Sequence, residues 1–553
     1  MTTTPDTAQR QPSPPATSEA TIWIDPDHEV GRVDPMIYGH FLESNFYGNI
    51  EGGVFDEGSA LAYEGDGPRG GLRRDVVDMC RKLGVPVARW PGGNFASAYH
   101  WEDGIGPRAG RPRRLELTWG GEESNRFGTD EFLAWCAETG AEPYLVNNCR
   151  DVEEAVRWVE YTNYGGDTAY TRARAANGHP EPYRVRYWGV GNEVYGPWQM
   201  GYRSAERYAA DAREHAKFMR LVDPGLSLVG AGILREEWMR PLLCQAGHLL
   251  DYVSLHRYGA SMHLTGADEY ETIIGQSLFF EQDISAFAQL VESLASDAGI
   301  DRPLSIALDE WTMRHLEPAA WPEPAPGEDG GVAPRDIDPA DVPGGPLRVN
   351  RWSPRTLADA LFYAGVFHGL HRMSGLPVAP RMANTVNLVN ANSLIAVRPH
   401  GVLASAIYHV WDLYQNHLGP VVLPVTTTGP ACRAGIRQGA VPDAAGAFVT
   451  RQGVVPYLDA VATRDPGNRT LRIAVINRHP ADSIAARIEL GRGVLPARVS
   501  VQDIGAQADD LYAANTFGRP DRVSLVDRGT TLLDAQAYTF PAHSITLLGF
   551  DLA

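Results

Sequence analysis

Eight short apolar runs, alternating with helical patterns between Thr21 and Gly419, constrain the fold of this chain more than any other feature. They read MIYGHFLE, VPVARW, PYLVNN, VRYWGVGNE, SLVGAG, DYVSLHRY, LSIALDEW and MANTVNLVN. Each has strand length and most end in polar residues. Helix signals lie between them. Thr129 can cap a helix carrying Phe132, Leu133 and Cys136, with Gly140 as its stop. Ser204 can cap another carrying Tyr208, Ala212 and Met219. Leu357, Leu361, Ala364, Phe367 and Leu370 recur at helical spacing. Such alternation implies parallel strands joined by crossovers. Eight units over about 390 residues predict an α/β chain whose main body is a closed (β/α)8 TIM barrel. An open doubly wound sheet is the alternative, but no glycine-rich dinucleotide fingerprint follows the first run.

After Gly419 the pattern changes. YLDAVATRD, RTLRIAVINRH, AARIEL, ARVSVQDI and SITLLGFDL alternate apolar with polar residues between Pro, Gly and Asn turns. They predict a C-terminal antiparallel β-sandwich over 420–553, with the barrel at 34–419. ATIWIDP, which leads into the segment 21–33, also alternates, and that segment can add a strand to the sandwich. Residues 1–20, rich in Thr, Ser and Pro and without an apolar run, read as a disordered tail and not as a secretory leader. The Pro-, Gly- and Asp-rich stretch 317–346 reads as a solvated insertion; a lid or subunit contact is its alternative.

A net charge of −19 over 553 residues argues against nucleic acid or an anionic membrane as the main partner. No run approaches the ~20 apolar residues of a membrane span, so a cytoplasmic location is the expectation. Five scattered cysteines suggest neither a disulfide framework nor a zinc knuckle. Each is expected reduced in a core wall, with Cys149 alone near a pocket.

In a barrel, polar groups at the C-terminal strand ends share one mouth. Those ends supply Glu43; Arg89 and Asn94 from RWPGGNF; Asn147 and Asn148; Asn192 and Glu193; His256 and Tyr258; Asp309 and Glu310; and Asn387. Two carboxylates on roughly opposite strands suit glycoside hydrolysis, where one protonates the leaving oxygen and the other, ionised, attacks the anomeric carbon. Tyr258 can hydrogen-bond the nucleophile and Arg89 can keep it ionised. Trp101, Trp119, Trp198 and Trp311 offer faces for sugar C–H surfaces. His256 reads as a contact of the substrate or of its neighbours, since no residues at metal-ligand spacing accompany it. Trp135 and Trp158 read as core. Arg108, Arg111, Arg113 and Arg114 read as a solvated loop clamped by nearby acids.

Taken together, GHFLES, RWPGGNF, DGIGPRAGRPRRLELTW, ESNRFGTDEF, WGVGNEVYGPWQMG, LHRYG, LDEW and HVWDLYQNHLG resemble glycoside hydrolase family 51, the α-L-arabinofuranosidases, from Thr21 to the C-terminus. The resemblance implies a barrel plus a jelly-roll-like sandwich, a retaining double displacement, no metal and no cofactor. It assigns Glu193 as acid/base and Glu310 as nucleophile. It places Glu43, Arg89, Asn94, Asn192, His256 and Tyr258 around the furanose or the nucleophile, and Trp119 in the pocket wall. It implies arabinofuranosyl oligosaccharides as substrates and a homo-oligomer, a hexamer in many intracellular members.

Four positions depart from the family pattern. Ser44-Asn45 follow Glu43 where histidine is usual, Tyr195 replaces aspartate, Thr312 replaces asparagine, and Asn387 replaces glutamine. These departures keep open a furanosidase for D-arabinofuranose or D-galactofuranose, or a glucanase-like variant. A non-catalytic carbohydrate-binding protein is the alternative outside enzymes, but such a protein should have lost a carboxylate and both are present.

Overall fold

The computed structural model describes residues 20–262, 267–318, 347–351, 353–438, 449–508 and 510–552. Nearly all of the expected tail and of the 317–346 insertion lies outside the described residues. Eight parallel strands close into a barrel: β1 (Gly39–Phe41), β2 (Val87–Trp90), β3 (Glu142–Asn147), β4 (Tyr187–Val190), β5 (Ser227–Gly230), β6 (Tyr252–Met262), β7 (Ser305–Pro318) and β8 (Pro380–Thr385). Closure comes from the parallel pairing of β6 with β7, β7 with β8, and β8 with β1. All eight apolar runs form these strands, because parallel strands buried on both faces must be apolar throughout. Inside the barrel, Val87, Tyr144, Val146, Tyr187, Val229, Ala307 and Met382 make a separate packed cluster. Each large side chain there contributes about 1.5–3 kcal/mol by burial. Trp90, Trp188 and Trp311 point outward into the larger core beneath the helices. β6 and β7 run 11 and 14 residues, well past the others, and carry their last residues above the mouth.

The helix Thr129–Thr139 is capped by Gly128, not by Thr129. The Gly128 N–H donates to the Glu131 carboxylate at 2.8 Å, while Thr129 Oγ1 accepts the Trp158 indole N–H at 3.1 Å. Gly140 ends that helix with φ 82. Ser204 caps Ala205–Val222, accepting the Arg207 N–H. Leu357–Arg372 starts from Thr356, whose side chain accepts the Asp359 N–H. Trp135 and Trp158 are buried in the core.

The C-terminal strands form a seven-stranded and a four-stranded sheet around one apolar cluster. Ala20–Ile24 lies inside the smaller sheet, antiparallel to Val425–Thr428 and parallel to Ile484–Leu490. That parallel pair is the one departure from an all-antiparallel sandwich among the described strands. The five cysteines are free, but Cys244 is exposed and so does not sit in a core wall. The arginine run holds acids as expected, yet it is not all solvated. Arg111 and Arg108 are half-buried against the buried Glu131, whereas Arg113 and Arg114 meet Glu122 and Asp103 at the surface. Among the described residues no helix is long and apolar enough to cross a membrane.

Candidate active site

The turn after β2 explains its own glycines. A Cβ on Gly92 would stand 2.3 Å from Cγ of Glu43, and one on Gly93 would stand 2.6 Å from Oε1 of Glu310. Gly92 also has φ 142, a conformation other residues rarely adopt. The bare backbone of RWPGGNF is therefore the floor against which two carboxylates lie. The Phe95 N–H donates to Glu43 Oε1 at 3.0 Å and fixes the first of them.

Arg89 and Tyr258 fix the second. Arg89 Nη1 donates to Glu310 Oε1 at 2.9 Å, and the Tyr258 hydroxyl donates to Oε2 at 2.5 Å. Arg89 also donates through Nη2 to Asn192 Oδ1 at 2.6 Å, and its Nε lies 3.4 Å from Asp309. Glu193, at the end of β4, adopts φ 41. Its Oε1 lies 2.8 Å from His256 Nδ1, and its Oε2 accepts the Trp198 indole N–H at 2.8 Å. His256 and Glu310 are register partners on β6 and β7. One oxygen of Glu193, one of Glu310 and a ring nitrogen of His256 all lie within 4.8 Å of one another. That oxygen separation is of the order of the ~5–5.5 Å spacing of carboxyl groups that act as a retaining pair.

The electrostatics follow from this crowding. Burial alone would raise Glu193, but the hydrogen bond and charge of His256, then Trp198, pull it down to about 2. Burial would raise Asp309 too; Arg89 and His256 outweigh it and hold it at about 2. Burial would lower His256, but Glu310, Asp309 and Glu193 lift it to about 10. Burial, with the Glu310 charge adding, pushes Glu43 up to about 7 against the pull of the Phe95 N–H. His256 and Glu193 thus share one proton, which the neighbouring acids draw to the imidazole. Glu193, Glu310 and His256 also have a spacing that could admit a cation, which would have to displace the imidazole proton to bind there.

The other expected residues divide. Trp119 borders Glu43, and Asn94 Oδ1 accepts from the Gln199 amide. Asn387 donates back to the Ala391 carbonyl at 3.2 Å and leaves its Oδ1 buried without a hydrogen-bond partner among the described residues. Asn147 and Asn148 do not serve the pocket. Asn147 caps the turn at Cys149, and Asn148 binds Tyr99 O and Glu154. Trp101 and Trp311 are not sugar platforms but buried core, stacked on Trp158 and Trp411 respectively. Cys149 is buried too. Of the four departures, Ser44 accepts the Trp90 indole N–H at 3.1 Å, and Thr312 shares its hydroxyl with Tyr363 and Arg355. Both sit behind the site. Tyr195 stands edge-on to Trp238, close enough to feel the charges of Glu193 and Glu310.

Three participants were not singled out from sequence. Gln199 links Ser97, Asn94 and Glu193; its signal was the GPWQ tail of the β4 motif. Ser254 donates to Asp309 at 2.5 Å, and Tyr144 donates to it at 2.8 Å. Asp309 itself, noted only as a strand-end acid, is the anchor shared by Arg89 and His256.

Known proteins match along the whole barrel and sandwich. Residues 79–273 fit the family model "Alpha-L-arabinofuranosidase 1 domain", and 341–544 fit "Alpha-L-arabinofuranosidase C-terminal domain". The chain is 32% identical over 549 residues to alpha-L-arabinofuranosidase C of Emericella nidulans, covering 95% of this chain and 96% of that one. It is 33% identical over 305 residues to an intracellular exo-α-(1→5)-L-arabinofuranosidase of Halalkalibacterium halodurans, covering 54% of this chain and 59% of that one. The solved GH51 α-L-arabinofuranosidase of Thermotoga petrophila superposes with a TM-score of 0.81 at 31% identity, over 96% of this chain and 100% of that one. The chain belongs to the α-L-arabinofuranosidases of glycoside hydrolase family 51, and it is a glycoside hydrolase.

Proposed function

We propose that this protein is a retaining, exo-acting α-L-arabinofuranosidase that removes terminal non-reducing arabinofuranosyl groups from oligosaccharides. The observation that carries the reading is the close approach of Glu193 and Glu310 carboxylate oxygens, one gripped by Arg89 and Tyr258 and the other by His256 and Trp198. In the first step Glu310 attacks the anomeric carbon as the glycosidic C–O bond breaks. The electron pair leaves on the aglycone oxygen, which takes a proton from Glu193. That proton reaches Glu193 from His256 Nδ1 across their 2.8 Å contact when the leaving oxygen enters. In the second step Glu193 removes a proton from water, water attacks the same carbon, and the Glu310 ester bond breaks to restore the carboxylate. Arg89 holds Oε1 of Glu310 at 2.9 Å and so aims the other oxygen side of the carboxyl group for the attack. Glu43, Asn94, Asn192, Trp119 and Asn387 surround the furanose in this reading.

The names of the relatives from Emericella and Halalkalibacterium support the sugar, and the second also supports exo action and an intracellular location. A cytoplasmic homo-oligomer completes the proposal, and native mass spectrometry tests its subunit count. The catalytic roles are tested with Glu193→Ala and Glu310→Ala on 4-nitrophenyl α-L-arabinofuranoside. Both should lose most turnover. Azide should rescue only Glu193→Ala, giving arabinofuranosyl azide, because it can attack the ester without a base. Full turnover by either variant, or rescue of Glu310→Ala alone with retained configuration, contradicts the assignment. Turnover of a D-galactofuranoside with none of the arabinofuranoside would instead favour the D-furanosidase reading that Tyr195 keeps open.

A further inference from the structure

Two guanidinium groups at the pocket rim have no carboxylate in ion-pair reach among the described residues. Arg314 lies on the overshoot of β7. Its Cζ stands 3.4 Å from the centre of the Tyr258 ring, and its Nε is buried without a hydrogen-bond partner. Arg351 lies over a cage of Phe46, Tyr47 and Trp119, with Cζ 5.0, 5.8 and 5.7 Å from the three ring centres. The two cations are near enough to repel. Burial, then the charge of Arg314, pushes Arg351 down to about 10. Elsewhere several buried or half-buried arginines hold acids, as Arg73 holds Asp75, Arg372 holds Glu281 and Asp459, and Arg478 holds Asp459, while Arg174 is satisfied by three backbone carbonyls. Two adjacent, part-buried arginines with no counter-ion among the described residues repel each other, and an anion placed between them would lower the free energy of the pair.

Position identifies which part of a substrate they meet. The furanosyl ring belongs at the deep end, where Arg89, Asn192, Glu43 and Glu310 converge. Arg314 is felt by Glu193, and Arg351 stands over Trp119, which borders Glu43. Arg314 therefore faces the leaving-group side beside the acid/base, and Arg351, which feels Arg314, stands at the rim where that side meets the furanose wall of Trp119 and Glu43, a placement that rests on the arabinofuranosidase reading above. Guanidinium geometry matches a carboxylate with paired hydrogen bonds, and the aromatic cage offers faces to sugar C–H surfaces. We propose that Arg314 and Arg351 form a leaving-group subsite for a carboxylate-bearing sugar, so that the enzyme favours arabinofuranosyl groups carried on uronic acid residues.

The test compares two disaccharides, arabinofuranosyl-galacturonate and arabinofuranosyl-galactose, as the ratio of their kcat/KM values. The parent enzyme should favour the uronate by about tenfold, equal to 1.4 kcal/mol. Arg351→Gln and Arg314→Gln should bring the ratio close to one, Arg351→Lys should keep part of it, and Arg351→Glu should drive it below one. A parent ratio near one, or a ratio that survives in all four variants, overturns the proposal. Free galacturonate should inhibit more strongly than galactose or inorganic phosphate; equal inhibition by phosphate would overturn the assignment to a uronate. Hydrolysis of 4-nitrophenyl α-L-arabinofuranoside reports separately on the arabinofuranosidase reading, so the two failures are distinguishable.

Discussion

Replacing Gly93 with alanine probes the site through one added carbon. That Cβ would sit 2.6 Å from Glu310 Oε1, where 3.4 Å is ordinary contact, so the carboxylate must retreat by about 0.8 Å. It cannot retreat freely, since Arg89 holds Oε1 at 2.9 Å and Tyr258 holds Oε2 at 2.5 Å. A 1 Å misplacement of a reacting group costs about 100-fold in rate, so the shift predicts a fall in kcat of roughly 30- to 100-fold, or about 2–2.7 kcal/mol of barrier. KM should move little, because the sugar-binding groups stay in place. The assay is steady-state hydrolysis of 4-nitrophenyl α-L-arabinofuranoside, with the thermal midpoint as a check on folding. Gly92→Ala serves as the contrast. Its Cβ would strike Glu43 Cγ at 2.3 Å instead, so it should raise KM more than it lowers kcat. If Gly93→Ala keeps kcat within threefold of the parent at an unchanged thermal midpoint, Glu310 is not held against this turn and the reasoning fails.

Asp309→Asn removes a charge that helps to raise His256 and loosens Arg89. It should lower kcat about 10- to 100-fold by the same misplacement argument and move the basic limb of the pH–kcat/KM profile to lower pH; an unmoved limb would contradict a positioning role. Stability should fall at both pH extremes. Asp309 and Glu193, depressed to about 2, contribute stability that is present above the ordinary carboxylate range and lost as pH falls towards 2. His256, raised to about 10, contributes stability that is complete below its ordinary value near 6.5 and lost as pH climbs through 10. Thermal midpoints across that range test both signs, and His256→Asn should flatten the alkaline limb. Glu43 works the other way. Raised to about 7, it favours the folded state while protonated and weakens it as pH rises from about 4.5 to 7. Glu43→Gln should therefore gain thermal midpoint over the parent between pH 5 and 8; a gain that shrinks over that interval would refute it.

The barrel was legible because its strands are short, doubly buried and separated by capped helices, so apolar runs and stops fall at fixed intervals. Most of the pocket was legible for a related reason: a barrel directs its strand-end groups to one place. Asp309 shows where that logic stopped. Strict alternation would send neighbours 309 and 310 to opposite faces, yet both meet Arg89. The register shifts between Leu308 and Trp311 against β8, and between Ser254 and His256 on β6. No residue pattern announces such irregularities. Trp311 misled for the complementary reason, since a tryptophan at a strand end can face the helices as readily as the mouth. Gln199 carries no periodicity and gains its role only from the fold of the loop after β4. That Arg314 and Arg351 meet aromatic rings and no carboxylate among the described residues depends on what does not come near them, which sequence spacing cannot express.

In the proposed mechanism Glu193 and Glu310 act on one sugar as a retaining pair. Proton nuclear magnetic resonance of the arabinose first released, read before mutarotation, tests it most directly. The product should emerge with the anomeric configuration of the substrate, because two inversions at the same carbon cancel. First-formed product of the opposite configuration would mean that water attacks directly, and that the closeness of the two carboxylates does not serve covalent capture.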